Sequence, residues 1–199
     1  MLHCPYTADK ARLVLREMAE SLALDLVSKR LVTDQVVVTV GYDIENLTDP
    51  ERASHYNGLV VSDHYGRRIP KHAHGTERLE THTSSTKKIM GAATALFDRL
   101  VDPNLLIRRL NIVAGHVMPE NDAKKRNSGF EQLDLFGDYT AQKAKQEQEE
   151  AELVRERKMQ ETMLAIKRKY GKNAILKGMN LEEGATAKDR NDQIGGHRA

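Results

Sequence analysis

The sequence predicts an α+β domain in which a four-stranded antiparallel sheet carries two helices on one face. Two segments repeat apolar residues at the spacing of an amphipathic helix, and short runs rich in β-branched residues lie around and between them. The predicted elements follow one another as strand, helix, strand, strand, helix, strand. Two helices with similar stripes can cover one face of such a sheet, and the other face stays open to solvent.

The first half of the domain is predicted to begin with the end of a strand at residues 1–6, as expected of a piece cut from a longer protein. Thr7 is the predicted N-cap of a helix that runs from Ala8 to about Leu31. The run Gln35–Tyr42 is β-branched and predicts the second strand. The apolar stripe of the helix consists of Leu15, Met18, Ala19, Leu22 and Leu26.

The second half follows a long polar connection, Asp43–Arg67, in which Leu59–Val61 predicts a short strand. The third strand is predicted at Lys71–Leu79. A second helix begins at Ser84-Ser85-Thr86, with a hydroxyl as its cap, and Asp102-Pro103-Asn104 ends it. Its stripe consists of Ile89, Ala92, Ala93, Leu96 and Leu100.

The fourth strand, Leu106–Val117, alternates between two kinds of side chain. Arg109, Asn111 and Val113 occupy one face, and Leu110, Ile112 and Ala114 occupy the other. This completes the split βαβ order of ferredoxin-like domains, with the domain ending near residue 118.

The rest of the chain divides into three predicted segments. Residues 119–137 form a linker, 138–170 form one long polar helix rich in Ala, Gln, Glu and Lys, and 171–199 form a tail without a core of its own. Glycine at position 171 is a natural end for the helix.

Composition narrows the classes of protein. Hydrophobic residues make up 39% and charged residues 30% of the 199 positions, so part of the chain is expected to lie outside a packed core. The single cysteine, Cys4, excludes a disulfide framework and indicates a reducing compartment. Neither a membrane-spanning run nor the apolar stretch of a signal peptide is present, which favours a cytoplasmic location and no membrane partner.

Basic residues concentrate between Gly66 and Lys88, although the formal net charge is only +2. Hydroxyls at a helix start, together with Lys and Arg, are the usual groups that hold phosphates. One hypothesis is that this edge of the sheet contacts the phosphates of duplex DNA. The alternative is an edge strand that faces solvent and whose charged side chains prevent pairing with another sheet. The candidate residues are Arg67, Arg68, Lys71, His72, His74, Arg78, Ser84, Ser85, Thr86 and Lys87, joined by Arg108 and Arg109 of the last strand.

Catalytic and metal chemistry are not predicted. His72 and His74 alone supply too few ligands for a metal site. The chain lacks a carboxylate cluster for two metal ions, a phosphate-binding loop and a Ser/His/Asp signature. We therefore expect no catalytic residue and no cofactor here.

An apolar cluster, Gln132-Leu133-Asp134-Leu135-Phe136, lies between two polar stretches. Such a cluster either packs back on the protein or anchors a partner. The pattern resembles the peptide with which bacterial polymerases and repair proteins hold the sliding clamp. In that mode Gln132 bonds the pocket rim, Leu135 and Phe136 enter the apolar pocket, and Leu133 fills a side groove.

Taken together, these parts resemble the C-terminal portion of a Y-family translesion DNA polymerase of the UmuC/DinB (ImpB/MucB/SamB) group. The similarity is carried by the clamp-like peptide and by four further segments. These are Lys71–Gly75 leading to Ser84-Ser85-Thr86, Leu106–Leu110, Asn173–Asn180 and Gln193–His197.

The resemblance implies a DNA-binding "little finger" at 1–118, a clamp-binding peptide after it, and DNA and the sliding clamp as partners in damage repair and the SOS response. It implies that Mg²⁺ belongs only to a catalytic domain, whose palm, fingers and thumb are missing here, so that this chain cannot polymerise alone. The Asp43–Arg67 connection is longer than in many members.

Two other functions share some of these features. RNA-recognition modules have the same element order but stack bases on aromatics of the third strand, and Lys71–Leu79 contains no Phe, Tyr or Trp. A coiled-coil interaction protein would need a sustained a/d repeat, which the 138–170 helix lacks.

Overall fold

The computed structural model describes residues 2–127, 139–194 and 197–198. These residues form a mixed α+β structure with a four-stranded antiparallel sheet, helices packed on it and a long C-terminal helix. The fold class that the sequence predicts is therefore confirmed.

The helices and strands lie close to their predicted positions, with additional short elements inside the long connection. The helices are α1 (Ala8–Lys29), α2 (Glu45–Thr48), α3 (Pro50–His55), α4 (Thr86–Leu100), α5 (Glu120–Asn127), α6 (Tyr139–Tyr170) and α7 (Ala187–Asn191), with a 3₁₀ turn at Gly178–Leu181. The strands are β1 (Leu31–Tyr42), β2 (Val60–Ser62), β3 (Arg68–Pro70), β4 (Ala73–Thr83), β5 (Ile107–Gly115), β6 (Met118–Pro119), β7 (Gln193–Ile194) and β8 (His197–Arg198).

Strand β1 is central in the main sheet. It pairs antiparallel with β4 on one side and β5 on the other, and its first residues pair with β6. The predicted first strand at residues 1–6 is wrong in extent, since it forms only one bridge, Tyr6 to Ile107. Pro5 has no N–H to offer a ladder, which limits pairing there.

The core lies between this sheet and helices α1 and α4. Val36, Val38 and Val40 of β1 are fully buried, and the helices contribute Leu15 and Phe97 among others. Helix α4 packs closely because Gly75 has no side chain: a Cβ there would lie 2.6 Å from the Leu100 Cδ1.

The long helix α6 folds back on the domain. Its buried Gln160 donates to the Ser84 carbonyl and to the Thr86 hydroxyl, both at 2.9 Å. Met163 is buried as well. The helix therefore packs through part of its second half, where the sequence places its apolar residues.

Acidic side chains of α1 hold the tail, with Glu17 at the centre and Glu20 paired with Lys177 at 2.6 Å. Glu17 is 1% exposed and accepts hydrogen bonds from the Asn180 Nδ2, the Thr186 backbone amide and the Thr186 hydroxyl. Burial lowers the pKa of the Arg190 guanidinium, which faces the same carboxylate at 3.4 Å. The predicted lack of a core is compensated by these polar contacts with α1.

In the described ranges, every helix is too short or too polar to cross a membrane.

Candidate nucleic-acid interface

The sheet face that points away from α1 and α4 is open and polar. Side chains alternate along β4 and β5, so that every second residue reaches this face. Three residues of β1 lie on this face, and each is paired with one residue of β4 and one residue of β5. The aligned sets are Gln35 with Arg78 and Gly115, Val37 with Thr76 and Val113, and Thr39 with His74 and Asn111.

The Asp43–Arg67 connection stands beside one end of this face and forms a groove with it. The groove has a volume of about 1060 Å³. Its walls come from the β1 and β5 ends and from the β2–β3 hairpin. Five of the predicted phosphate-binding residues line it: Arg67, Lys71, His72, Arg108 and Arg109.

Asn46 fixes the connection to the sheet. This residue is fully buried, and its side-chain amide donates to the carbonyls of Asp43 (2.9 Å) and Leu106 (2.8 Å). Its carbonyl oxygen accepts from the Leu106 amide at 2.8 Å. The Leu106 carbonyl also accepts from the Asp43 amide at 2.9 Å, so the Asn46 side chain takes the place of a strand partner only for the Leu106 amide, just before β5 and close to Arg108 and Arg109.

The turn of the β2–β3 hairpin is organised by Asp63. Its carboxylate accepts from the backbone amides of Tyr65 and Arg67, both at 2.9 Å, and from the Arg67 Nε at 2.8 Å. The Arg67 hydrogen bond lowers the pKa of the Asp63 carboxyl. Gly66 closes the turn with a φ of +75°, a conformation that favours glycine.

Arg109 is an exposed cation at the groove. Its side chain lies across Gly41, the residue aligned with it on β1, where an added Cβ would lie 3.1 Å from the Arg109 Cβ. Within the described ranges Arg109 has no carboxylate partner, whereas Arg108 faces Asp43 at 3.7 Å. The Gly41 position therefore leaves room for a charged side chain to lie along the sheet.

Three other predicted residues lie outside the groove lining. Arg78 and His74 lie on the open face of β4, and the His74 Nδ1 is 2.9 Å from the Thr39 hydroxyl. Arg68 is an exposed residue at the start of β3. The structure thus brings His74 and Arg78 onto the same face as Arg109, with Arg68 on the adjoining hairpin.

The hydroxyl cluster at the start of α4 is occupied by the protein itself. Ser84, Ser85 and Thr86 are buried. The Ser85 hydroxyl and the Lys87 amide donate to the Glu156 carboxylate of α6, at 2.6 and 3.0 Å. These candidates therefore do not form one surface with the groove, and a phosphate reaches them only if α6 leaves.

The segment Gln132–Phe136 lies outside the described residues. In the described part of the chain, no group of three or more His, Cys, Asp or Glu side chains is arranged to hold a metal ion.

The roles of several residues that shape these sites were not predicted from the sequence. Asn46, Gly41 and Glu156 act through partners that lie far away in the chain, so a local pattern does not reveal them. The turn at Asp63 could have been predicted, because an Asp followed three residues later by a Gly is typical of a tight turn.

Comparison with known proteins gives a family match. The model of the impB/mucB/samB family C-terminal domain matches residues 4–135. No curated protein and no solved structure matches the chain.

Proposed function

The chain belongs to the impB/mucB/samB family of Y-family DNA polymerases, and we propose that it grips duplex DNA through phosphates and targets the enzyme to the sliding clamp. The observation that carries the DNA part is the groove in which Arg67, Lys71, His72, Arg108 and Arg109 come together.

The composition of the groove favours phosphate contact over base reading. Arg109 and Lys71 have no acidic partner in the described residues, and both are exposed at the groove. Lysine and arginine that face solvent beside an open sheet are suited to the evenly spaced charges of a DNA backbone. Asp43 and Asp63 hold Arg108 and Arg67 in place and reduce, but do not cancel, the positive charge.

The alternative of an RNA-recognition module gains no support from β4. Its eleven residues, Ala73–Thr83, include no Phe, Tyr or Trp, so the strand offers none of the stacking platform that such modules use. The coiled-coil alternative loses support too, since α6 uses Gln160 and Met163 against its own domain.

Binding to two labelled duplexes of unrelated sequence tests the DNA part. We expect equal affinity for both, and a loss of about tenfold or more on charge reversal in the variant Arg67→Glu/Arg68→Glu/Lys71→Glu. Arg109→Glu alone is expected to weaken binding as well. Arg168→Glu changes the charge by the same amount as Arg109→Glu but lies on α6, away from the groove, and is its matched control. Unchanged affinity in the groove variants would remove these residues from the site.

Clamp targeting rests on the sequence Gln132-Leu133-Asp134-Leu135-Phe136, between α5 and α6. A tether of this kind raises the effective concentration of DNA at the groove, so weak phosphate contacts suffice. Calorimetric titration with purified bacterial sliding clamp should give binding that Leu135→Ala/Phe136→Ala abolishes. Leu181→Ala, an exposed leucine of the tail, is the control. Wild-type affinity in the double variant would rule out the peptide assignment.

A further inference from the structure

The first half of α6 carries a row of carboxylates that faces the start of α4. We call residues 147–156, which include five glutamates and one arginine, the acidic arm. Glu149, Glu152 and Glu156 lie three and four positions apart, so they share one face of the helix. Glu149 pairs with the Lys88 ammonium at 2.7 Å, and Glu152 pairs with the Lys87 ammonium at 3.3 Å. The acidic arm therefore neutralises two lysines of α4.

The third carboxylate of the row occupies a position that suits an anion. Glu156 accepts from the Ser85 hydroxyl and from the Lys87 backbone amide. A phosphate oxygen accepts from donors of the same kind, because the start of a helix presents free N–H groups and favours negative charge. The acidic arm thus places negative charges where the sequence predicts phosphate contacts at Ser85 and Lys87.

The acidic arm is held less tightly than the second half of α6. A groove of about 890 Å³ lies between the arm and α4. The Lys87 and Glu152 side chains are 82% and 56% exposed, and solvent and salt screen such ion pairs. In contrast, Gln160 and Met163 of the second half are buried against the domain. The arm can therefore leave α4 while the second half of the helix stays in place.

We infer that the acidic arm is autoinhibitory: when it leaves α4, Lys87 and Lys88 become a second contact for the phosphate backbone of DNA. His72 of the groove directly precedes β4 and Ser84 directly follows it, so the two contacts lie at opposite ends of one strand. The inference rests on the proposed function, because it assumes that the domain binds DNA through phosphates. It adds a form of regulation, in which the arm limits the affinity for DNA.

Removal of the three carboxylates tests this inference. In the variant Glu149→Gln/Glu152→Gln/Glu156→Gln, the affinity for a labelled duplex, measured by fluorescence anisotropy, should rise about tenfold above wild type. The plot of log association constant against log salt should become steeper by about 1.8, which is 0.9 for each of the two lysines.

A second triple variant controls for the change in net charge. Glu147→Gln/Glu150→Gln/Glu182→Gln removes the same charge from three exposed glutamates that lie outside the row facing α4. Exposed charges at a distance are screened, so this control should raise the affinity by less than about twofold.

Two further variants identify the source of the gain. Addition of Lys87→Gln/Lys88→Gln to the Glu149/Glu152/Glu156 variant should return the affinity to near the wild-type value. Glu149→Gln/Glu152→Gln keeps the Glu156 contact and should give part of the gain, which provides a test even if the triple variant unfolds. Thermal unfolding curves verify the fold of each protein.

The outcomes separate the two proposals. Salt-sensitive duplex binding that is equally strong in the Glu149/Glu152/Glu156 variant and in its control overturns the autoinhibition and leaves the proposed function intact. A gain that survives the loss of Lys87 and Lys88 overturns the autoinhibition as well. Failure of wild type and of every variant to bind the duplex overturns both.

Discussion

The Glu156 carboxylate of α6 lies 2.6 Å from the Ser85 hydroxyl at the start of α4. Ser85 is also the N-cap of α4, because its hydroxyl accepts from the Lys88 amide at 3.2 Å. An acidic side chain therefore sits where the partial positive charge of the helix is greatest. Two further ion pairs, Lys87 with Glu152 and Lys88 with Glu149, join the same two helices.

The contact between Glu156 and Ser85 is expected to stabilise α6 on the domain. Ser85→Ala removes the cap and the contact together, and should lower the free energy of unfolding by about 1–2 kcal/mol. A double-mutant cycle with Glu156→Gln, measured by urea denaturation, isolates the part that belongs to the pair. Ser28→Ala, an exposed serine at the end of α1, is the control. A coupling energy of zero would mean that the two residues are only neighbours.

Glu17 is expected to hold the tail on α1. Replacing it by Gln substitutes an amide for one oxygen, so the donors of Asn180 and Thr186 lose part of their acceptor and Arg190 loses its charge partner. Limited trypsin digestion should then cut faster after Lys177 and Lys188. Glu183→Gln, which breaks only an exposed ion pair with Lys10, should leave the digestion rate nearly unchanged. Equal protection in both variants would contradict the role of Glu17.

Asn46 is expected to be among the most sensitive polar positions of the fold. In Asn46→Ala the Leu106 amide loses its partner inside the protein and the Leu106 carbonyl keeps only the Asp43 amide, which should cost about 1–3 kcal/mol in the free energy of unfolding. The exposed Asn104, whose side chain bonds Asp102, is the comparison, and Asn104→Ala should cost less than about 1 kcal/mol. Similar urea midpoints for the two variants would disprove this ranking.

The ion pair between Arg12 and Asp98 is expected to contribute stability that depends on pH. Its two hydrogen bonds, 2.7 and 2.9 Å long, join α1 to α4. The Arg12 guanidinium lowers the pKa of the Asp98 carboxyl from its ordinary value of 3.8. The contribution is therefore fully present above that value and disappears as the pH falls through the lowered pKa of the folded state.

Asp98→Asn measures this contribution. Because the pair is half exposed, we expect wild type to be more stable by only about 0.5–1 kcal/mol at neutral pH, with the difference shrinking below about pH 4. Asp25→Asn, which breaks an ion pair within α1 alone, is the control and should cost less. A difference between wild type and Asp98→Asn that stays constant down to acid pH would contradict the assignment.

Much of the domain could be predicted from the sequence, because its helices and strands carry periodic patterns. The stripe of Ile89, Ala93 and Leu96 marks the buried face of α4, and the alternation of β5 places Arg109 and Asn111 on the open face. The stop of α6 at Tyr170, before Gly171, also follows from local sequence. Each of these features depends on residues close together in the chain.

The features that the sequence did not predict depend on residues that lie far apart in the chain. The separation of the α4 hydroxyls from the groove follows from Glu156, which lies 71 positions after Ser85. The position of the tail depends largely on Glu17, which lies 163 positions before its partner Asn180. The groove itself needs the polar connection around Asn46, whose partner Leu106, just before β5, is 60 positions away. Hydrophobic periodicity contains no information about such polar pairs.

The salt dependence of duplex binding by wild type and Arg109→Gln is the most direct test of whether the groove binds the DNA backbone. If Arg109 neutralises a phosphate, the plot of log association constant against log salt should be flatter in the variant by about 0.9, and Arg168→Gln should have the wild-type slope. A steep wild-type slope that Arg109→Gln reduces is the predicted result. Identical slopes for wild type and Arg109→Gln would contradict the claim that this groove grips the DNA backbone.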